Sequence, residues 1–483
     1  MNITGLCNYV SAYGVRRMRE YTVFMATGST TPVRPFVELT KQLKEKINVK
    51  VYLLCERTVE YSRIICENDL QCEDIVYVEV GKKKSNGIFE INRSERTIKI
   101  NIKELSKQTK AYEIWRRVYK TSKLAKLIID IKDIAKKYRK LKKERDEINK
   151  YFIKYHPDMV ILYSDIRMEC DAFAAYLASR YNIPSMVAPI ASFGKADEHV
   201  RSGGWCYRKN KKDKFSLLEK YILQKYPKAY VQVGDVIAFR FEPCEILAYA
   251  LLGILPSNPW VPGTGNSSSI ALISQDNLDY AVSEIGEEYK RKAQVTHTIE
   301  ETDIIMQLKQ REELRNQVFR KYKIIDSQIV CFVLTAYANS SLPVDFEMEK
   351  DIYTRVASAM VKIFGTVLIS LHPRTKREDY LYFHEIPGCI IIEEALYKIL
   401  PACDVFIGNS VSSTKEMVKN LTIPQIYIPH ELYFRGISEE DIKNLQSEAY
   451  KIKKMGQYHI TYVDDGRKDF FNIIIEELTN NIR

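Results

Sequence analysis

Short apolar runs and helix-period stretches take turns along most of this chain. Tyr21–Ala26 is apolar, Thr27–Thr31 (TGSTT) is a small-polar turn, and Pro35–Lys44 carries Phe36, Leu39 and Leu43 at helical spacing. Val49–Cys55 is a second apolar run, so the opening reads strand, loop, helix, strand. Asp74–Val80 predicts a third strand, and Gly81–Thr97 is a polar excursion. Ser106–Tyr155 predicts a long helix whose apolar stripe runs through Leu124, Ile131, Tyr138 and Leu141. Asp158–Tyr163 is a continuous apolar run of the kind buried on both faces of a sheet. A helix over Met168–Tyr181 and a strand over Ile183–Ile190 follow. Phe215–Leu255 predicts a helical region, and Ser257–Ser269 (SNPWVPGTGNSSS) has the composition of a linker.

A second series begins after a charged helix, Thr302–Tyr322. Strands are expected at Ile329–Thr335, Thr366–Leu371, Cys389–Ile392, Asp404–Ile407 and Pro424–Ile428. Helices at Phe346–Phe364, Ala395–Ala402 and Ser412–Asn420 alternate with them, and Glu439–Arg483 is mostly helical. Two such series predict an α/β protein with two Rossmann-like, doubly wound domains facing a cleft. The expected division is 1–268 for the first domain with a helical insertion, 269–438 for the second, and 439–483 for a helical tail.

Composition narrows the class. At 483 residues the chain exceeds one ordinary core. Hydrophobic content of 46% and charged content of 28% are those of a folded globular protein. Net charge is +11, from 73 Lys and Arg against 62 Asp and Glu, which suits an anionic partner such as a nucleotide, an acidic glycan or an anionic membrane surface. Much of that excess fits equally well on a solvated helix face, where Lys136, Lys137, Arg139, Lys140, Lys142 and Lys143 cluster. No aromatic stacking platform accompanies that cluster, so nucleic acid is not the expected partner. Ten scattered cysteines include no CxxC pair, which speaks against a zinc ribbon or a redox dithiol and for buried thiols in a reducing cytoplasm. No secretory signal is expected, and no apolar stretch is long enough to span a bilayer. Asp464-Asp465-Gly466 reads as a turn rather than a metal-binding DxD site.

Candidate chemistry gathers in the second series. One apolar strand ends in His372-Pro373, another in Glu393-Glu394, and a third runs into Gly408–Thr414, a small-polar loop that opens a helix. A helix start presents free N–H groups that suit a phosphate, and Ser412, Ser413 and Thr414 add hydroxyls. The same serines would cap the helix, with Glu416 completing a capping box from Ser413. His372 either acts on a leaving phosphate or caps a strand end. Glu393 and Glu394 either accept ribose hydroxyls or sit as charges at a helix start. Asp165, at the end of the Asp158–Tyr163 strand, is either a base for an acceptor hydroxyl or a helix cap. Arg374, Lys376 and Arg377 follow the His-Pro, and Trp260 either stacks on a sugar or anchors the linker. A nucleotide-sugar site is the expectation.

The layout resembles the GT-B fold of many glycosyltransferases and of the hydrolysing UDP-N-acetylglucosamine 2-epimerases, over most of residues 21–430. Thr27-Gly-Ser-Thr-Thr and its helix look like the epimerases' opening loop, and Tyr163-Ser-Asp165 looks like their Gly-Asp-Thr. Val333–Tyr337 (VLTAY), Ser370–Pro373 (SLHP) and Gly408–Glu416 (GNSVSSTKE) fall in the order of three epimerase segments. The chain departs where epimerases carry a catalytic Glu, since Met186–Ser192 (MVAPIAS) has no carboxylate, and Tyr337 stands where they carry a His. The retained set is similar to the bacterial sialyltransferases and polysialyltransferases that use CMP-activated sugars. In that resemblance His372 with Pro373 would act at the phosphate, Glu393 or Glu394 would hold the ribose, and Ser412 with Ser413 would grip the donor phosphate. The family's acidic base lies in its first domain, and Asp165 is the residue expected there, with Asp171 and Glu169 behind it.

The resemblance implies an inverting, metal-independent glycosyltransferase, with no cofactor beyond the nucleotide-sugar substrate and a CMP-sugar favoured over a UDP-sugar. Its partners would be that donor and a glycan or glycolipid acceptor. Its place would be the cytoplasm, with peripheral contact at the inner face of the membrane. The alternative is a nucleotide-sugar epimerase or hydrolase on the same fold.

Overall fold

The computed structural model describes residues 19–29, 33–56, 73–78, 123–166, 170–190, 193–201, 206–324, 328–335, 337–339, 344–372, 375–409, 413–456 and 459–480. Two parallel sheets organise them. The first contains β1 (Tyr21–Thr27), β2 (Val49–Glu56), β3 (Asp74–Val78), β4 (Met159–Leu162) and β5 (Ser185–Val187). Between β5 and the rest of that sheet the chain makes a small antiparallel sheet of β6 (Tyr207–Asn210), β7 (Tyr230–Val233) and β8 (Val236–Phe239). β9 (Ser269–Leu272) and β10 (Ala293–Val295) then return to the first sheet, whose order is β3-β2-β1-β4-β5-β9-β10. The second sheet is β13 (Cys389–Ile391), β12 (Val367–Ser370), β11 (Val330–Val333), β14 (Val405–Gly408) and β15 (Gln425–Tyr427), in that order.

Every pairing in the two large sheets is parallel. Each sheet runs outward from its first strand in both directions, so β1/β4 and β11/β14 are topological switch points. Helices cover both faces, which is why β4 (MVIL), β12 (VLIS) and β14 (VFIG) are buried at every position. Phe24, Leu54 and Val160 pack against the helices Lys123–Tyr155 and Cys170–Arg180. Val23, Met25 and Val51 face the helix Val33–Lys46 on the other side. The second sheet divides in the same way, with Phe332 and Ile369 towards the helix Phe346–Phe364 and Cys331 and Leu368 towards Tyr322 and Leu400.

The expected boundaries move. β9 and β10 belong to the first sheet, so the first body extends well past residue 268. Ser257–Ser269 is not a link between bodies but a packed loop that feeds β9, with Asn258, Trp260 and Val261 buried. Pro, Gly and Ser marked its tight turns, and turn chemistry does not require exposure. The expected helical region at Phe215–Leu255 contains the hairpin β7–β8, closed by Gly234 and Asp235 with Gly234 at φ 59°. The tail also divides. Ile442, Leu445, Ala449 and Ile452 of the helix Glu439–Met455 pack on the second core, while Phe470, Ile473, Ile474 and Leu478 of the helix Phe470–Asn480 pack on the first. The expected helix Ser106–Tyr155 is described from Lys123, and its earlier part lies outside the described residues. No described helix is long and apolar enough to cross a membrane.

The chain therefore passes between the bodies twice, and the two passages are joined. Thr296 bridges Lys468 as a parallel pair, and His297 donates its backbone N–H to the Lys468 carbonyl at 3.0 Å. Glu301, fully buried, completes the capping box of the helix Ile299–Leu308 with Thr298. The Arg467 guanidinium lies on that carboxylate, 2.7 Å from Oε1 and 3.2 Å from Oε2, and also donates to the Ile273 carbonyl at 2.9 Å. Burial works against the Arg467 charge, but its bonds to Glu301 outweigh that and hold its pKa above the ordinary value. Arg467→Ala strands a buried carboxylate and is expected to cost about 3–5 kcal/mol, read as a fall in unfolding temperature. The paired replacement Glu301→Leu with Arg467→Met recovers most of that loss if the cost lies in the stranded charge.

Candidate functional site

The carboxyl ends of β12, β11, β14 and β15 lie side by side, each about 4.8 Å from the next, so four strand ends open onto one crevice. At its centre, Asn409 follows β14 and Tyr337 follows β11. The Asn409 side chain is 3% exposed and its amide donates to the Tyr337 hydroxyl at 2.7 Å. Its Oδ1 is buried and accepts no hydrogen bond among the described residues. An orphaned buried carbonyl at a switch point is a place for a ligand donor. Gly408 makes the approach of the strands possible, since a Cβ there would sit 2.9 Å from the Val333 carbonyl.

Tyr337 is held from beneath. Glu349, on the helix Phe346–Phe364 and fully buried, accepts the Tyr337 N–H at 2.6 Å, the Ala338 N–H at 3.3 Å and the Tyr353 hydroxyl at 2.9 Å. Burial raises the Glu349 pKa, and these donors pull it back only in part. Burial also pushes the Tyr337 phenol up to about 12, so it stays protonated. Tyr433 packs 4.6 Å from the Tyr337 ring and His430 meets it edge-on at 4.9 Å. His430 is exposed at the end of β15. Glu349 and His430 were not expected from the sequence, and Asn409 lies in the Gly408–Thr414 loop that was read there for its hydroxyls. Pro429-His430 after an apolar strand mirrors the His372-Pro373 signal and was the legible clue to His430.

The expected residues take different places. His372 follows β12, half-buried, and its backbone carbonyl accepts the N–H and hydroxyl of Thr375 at 2.9 and 2.7 Å. β12 and β14 flank β11, which puts the His372 and Asn409 strand ends about 10 Å apart. Pro373, Arg374 and Ser412 lie outside the described residues. Ser413 and Thr414 open the helix Ser413–Asn420, and their side chains lie outside the described residues. Glu393 and Glu394 follow β13, the edge strand beyond β12. Glu394 is taken by Lys321 and the Tyr322 hydroxyl. Burial raises its pKa, but these partners outweigh it and leave the carboxyl below its ordinary range. The Glu393 side chain is 70% exposed, 3.8 Å from Lys321.

Asp165 lies on the first sheet, away from that crevice. It follows β4 at 1% exposure, and both oxygens are occupied: Oδ1 accepts the Gly263 N–H at 2.7 Å, and Oδ2 the Gly265 N–H at 3.0 Å and the Ser267 hydroxyl at 2.5 Å. A Cβ on Gly265 would lie 2.2 Å from the Asp165 carbonyl. A carboxylate so engaged anchors the loop that feeds β9. Of the two residues behind it, Asp171 is fully buried and Glu169 lies outside the described residues. Among the described residues no cluster of three His, Cys, Asp or Glu side chains gathers as metal ligands do.

No protein-family model matches the chain, and no curated protein matches it. It is similar to solved structures over nearly its whole length. The UDP-GlcNAc 2-epimerase of Methanocaldococcus jannaschii, in complex with UDP-GlcNAc and UDP, is 14% identical, with 96% of this chain and 100% of that one covered and a TM-score of 0.45. The UDP-GlcNAc 2-epimerase of Neisseria meningitidis bound to UDP-GlcNAc is 11% identical, covering 95% and 100%, at 0.42. MurG of Acinetobacter baumannii is 12% identical, covering 96% and 91%, at 0.38. At these identities no residue's role passes from them to this chain, and the two Rossmann-like sheets stand on the strand order itself.

Two outcomes follow. Asp165→Asn turns an amide towards backbone donors and is expected to cost about 1–3 kcal/mol, seen as a lower melting temperature. A base with no structural duty would leave the melting temperature unchanged. Glu349→Ala releases the Tyr337 turn and leaves its buried donors unpaired, and is expected to cost about 1–3 kcal/mol, seen as a lower melting temperature.

Proposed function

We propose that the protein is a glycosyltransferase that moves a sugar from a nucleotide donor, a CMP-activated sialic-acid-like sugar, to a surface glycan or glycolipid. The observation that carries the reading is the buried, unsatisfied Asn409 carbonyl beside Tyr337 at the β11/β14 switch point. An exocyclic amine of a base or a ribose hydroxyl is the donor it needs. His372 and His430 stand at strand ends on either side, where an imidazole bonds or protonates a departing phosphate. The start of the helix Ser413–Asn420 adds backbone donors for the same charge, so transfer in this reading is metal-independent. Glu393 is the exposed carboxylate nearest the ribose role, since Glu394 is engaged. Cytoplasmic work at the inner face of the membrane agrees with the outer face of the helix Lys123–Tyr155, where Lys132, Lys136, Arg139, Lys142 and Lys143 are exposed.

A melting panel with CMP, CDP, UDP and GDP tests the donor. CMP at a hundred times its dissociation constant is expected to add about 2.7 kcal/mol of stability, and Asn409→Ala to abolish that gain. No response to any of the four removes the reading. Free N-acetylmannosamine formed from UDP-N-acetylglucosamine moves the protein to the epimerase alternative. His372→Ala is expected to lower transfer about a hundredfold or more with little change in melting temperature, and unchanged transfer excludes the imidazole from the reaction.

A further inference from the structure

The two bodies also meet on a charged contact beside their joined passages. The helix Ile299–Leu308 belongs to both, with Ile299 in the first core and Ile304 in the second. It packs against the helix Val33–Lys46 of the first body and the short helix Leu396–Ile399 of the second. Glu300 and Asp303 stand one turn apart on it, on a shared face. Glu38 of the helix Val33–Lys46 reaches the same place. Its carboxylate lies 3.5 Å from Lys398 and 3.6 Å from Lys41, and it accepts the Tyr397 hydroxyl. The Tyr397 phenol is 9% exposed and has all three carboxylates for neighbours. Burial, and then those three negative charges, hold its pKa far above the ordinary value. Other charged groups around the helix are taken. Glu301 and Arg467 hold each other, Asp469 accepts the Thr302 hydroxyl at 2.9 Å, and Arg311 and Arg315 lie on Asp404. His297 stands 3.6 Å from Asp465. Lys398 and Lys41 therefore face Glu38, Asp303 and Glu300, two positive charges against three negative ones. Glu300 is the carboxyl left over: its Oε2 is buried and has no hydrogen-bond partner among the described residues. Burial, with Glu301 and Asp303 adding like charge, pushes its pKa up to about 7, and burial with Glu38 raises that of Asp303.

We infer that contact between the two bodies is coupled to the uptake of one proton by Glu300, so that the bodies draw together on the acid side of neutrality and loosen as the pH rises. With the bodies apart, Glu300 returns to water and to the usual carboxylate range. Contact raises its pKa, so contact is favoured in full below that range, and the advantage is lost as the pH climbs through about 7. Loss of the proton puts a third negative charge beside Glu38 and Asp303, with Lys398 alone to hold them across the contact. The passages joined by Glu301 and Arg467 keep the bodies tethered while this contact opens. Such a latch acts whatever the protein binds.

Small-angle X-ray scattering of the full chain, at about pH 5.5 and about pH 8, tests the coupling. The radius of gyration of the unaltered chain is expected to be larger at the higher pH. In Glu300→Gln, which keeps the shape of the protonated acid and has no proton to lose, it is expected to stay at the lower value throughout. Glu300→Gln is also expected to melt about 3 °C or more above the unaltered chain at the higher pH, with that gain falling by about half at the lower one. His297→Gln removes the imidazole that faces Asp465 and is expected to leave the pH response in place. A response lost in Glu300→Gln and kept in His297→Gln supports the latch. A radius that does not change with pH, a response that persists in Glu300→Gln, or one that disappears in His297→Gln overturns it. A Glu300→Gln chain that fails to fold overturns it as well, because a neutral side chain at that position stabilises the contact.

Discussion

The contact between Glu301 and Arg467 holds the architecture together. It joins the strand-to-helix passage out of the first body to the loop that leads back into it, and both groups are nearly or fully buried. With that pair closed, the second sheet is tethered at its beginning and its end to one place on the first. The pair is not alone. Glu38 on the helix Val33–Lys46 meets Lys398 at 3.5 Å, so charge also spans the bodies on a second line. The second sheet then completes itself with its own neighbours, while the first still takes the helix Phe470–Asn480 onto its core.

Parallel order does the rest for the site. A Rossmann-like sheet brings the ends of its first and fourth strands together whatever the loops contain, and the loops decide the chemistry. Here the second sheet gathers Tyr337, Asn409, His372 and His430 on four neighbouring ends.

Much of the sheet architecture was legible because continuous apolar runs such as Met159–Leu162 and Val405–Gly408 have few uses except as strands buried on both faces. The hairpin at Gly234 was missed because four-residue strands such as YVQV and VIAF carry too little alternation to outweigh the helical stretches around them. The body boundary was misplaced because loop composition reports turns, not domain edges. Asp165 and Asn409 show the same limit at single residues. Both follow a buried strand and both are polar, yet one is saturated by backbone donors from residues almost a hundred positions later and the other is left with an open carbonyl. Only long-range packing separates them.

The last described helix returns to the opening strands, where Phe470 and Ile474 fill the space beside Phe36 and Val23. Synthesis at roughly 5–20 residues per second puts about 20–90 s between the emergence of those partners. Through that interval the nascent first body carries an uncovered oily groove. The first body therefore closes its core only when the far end of the chain has been made.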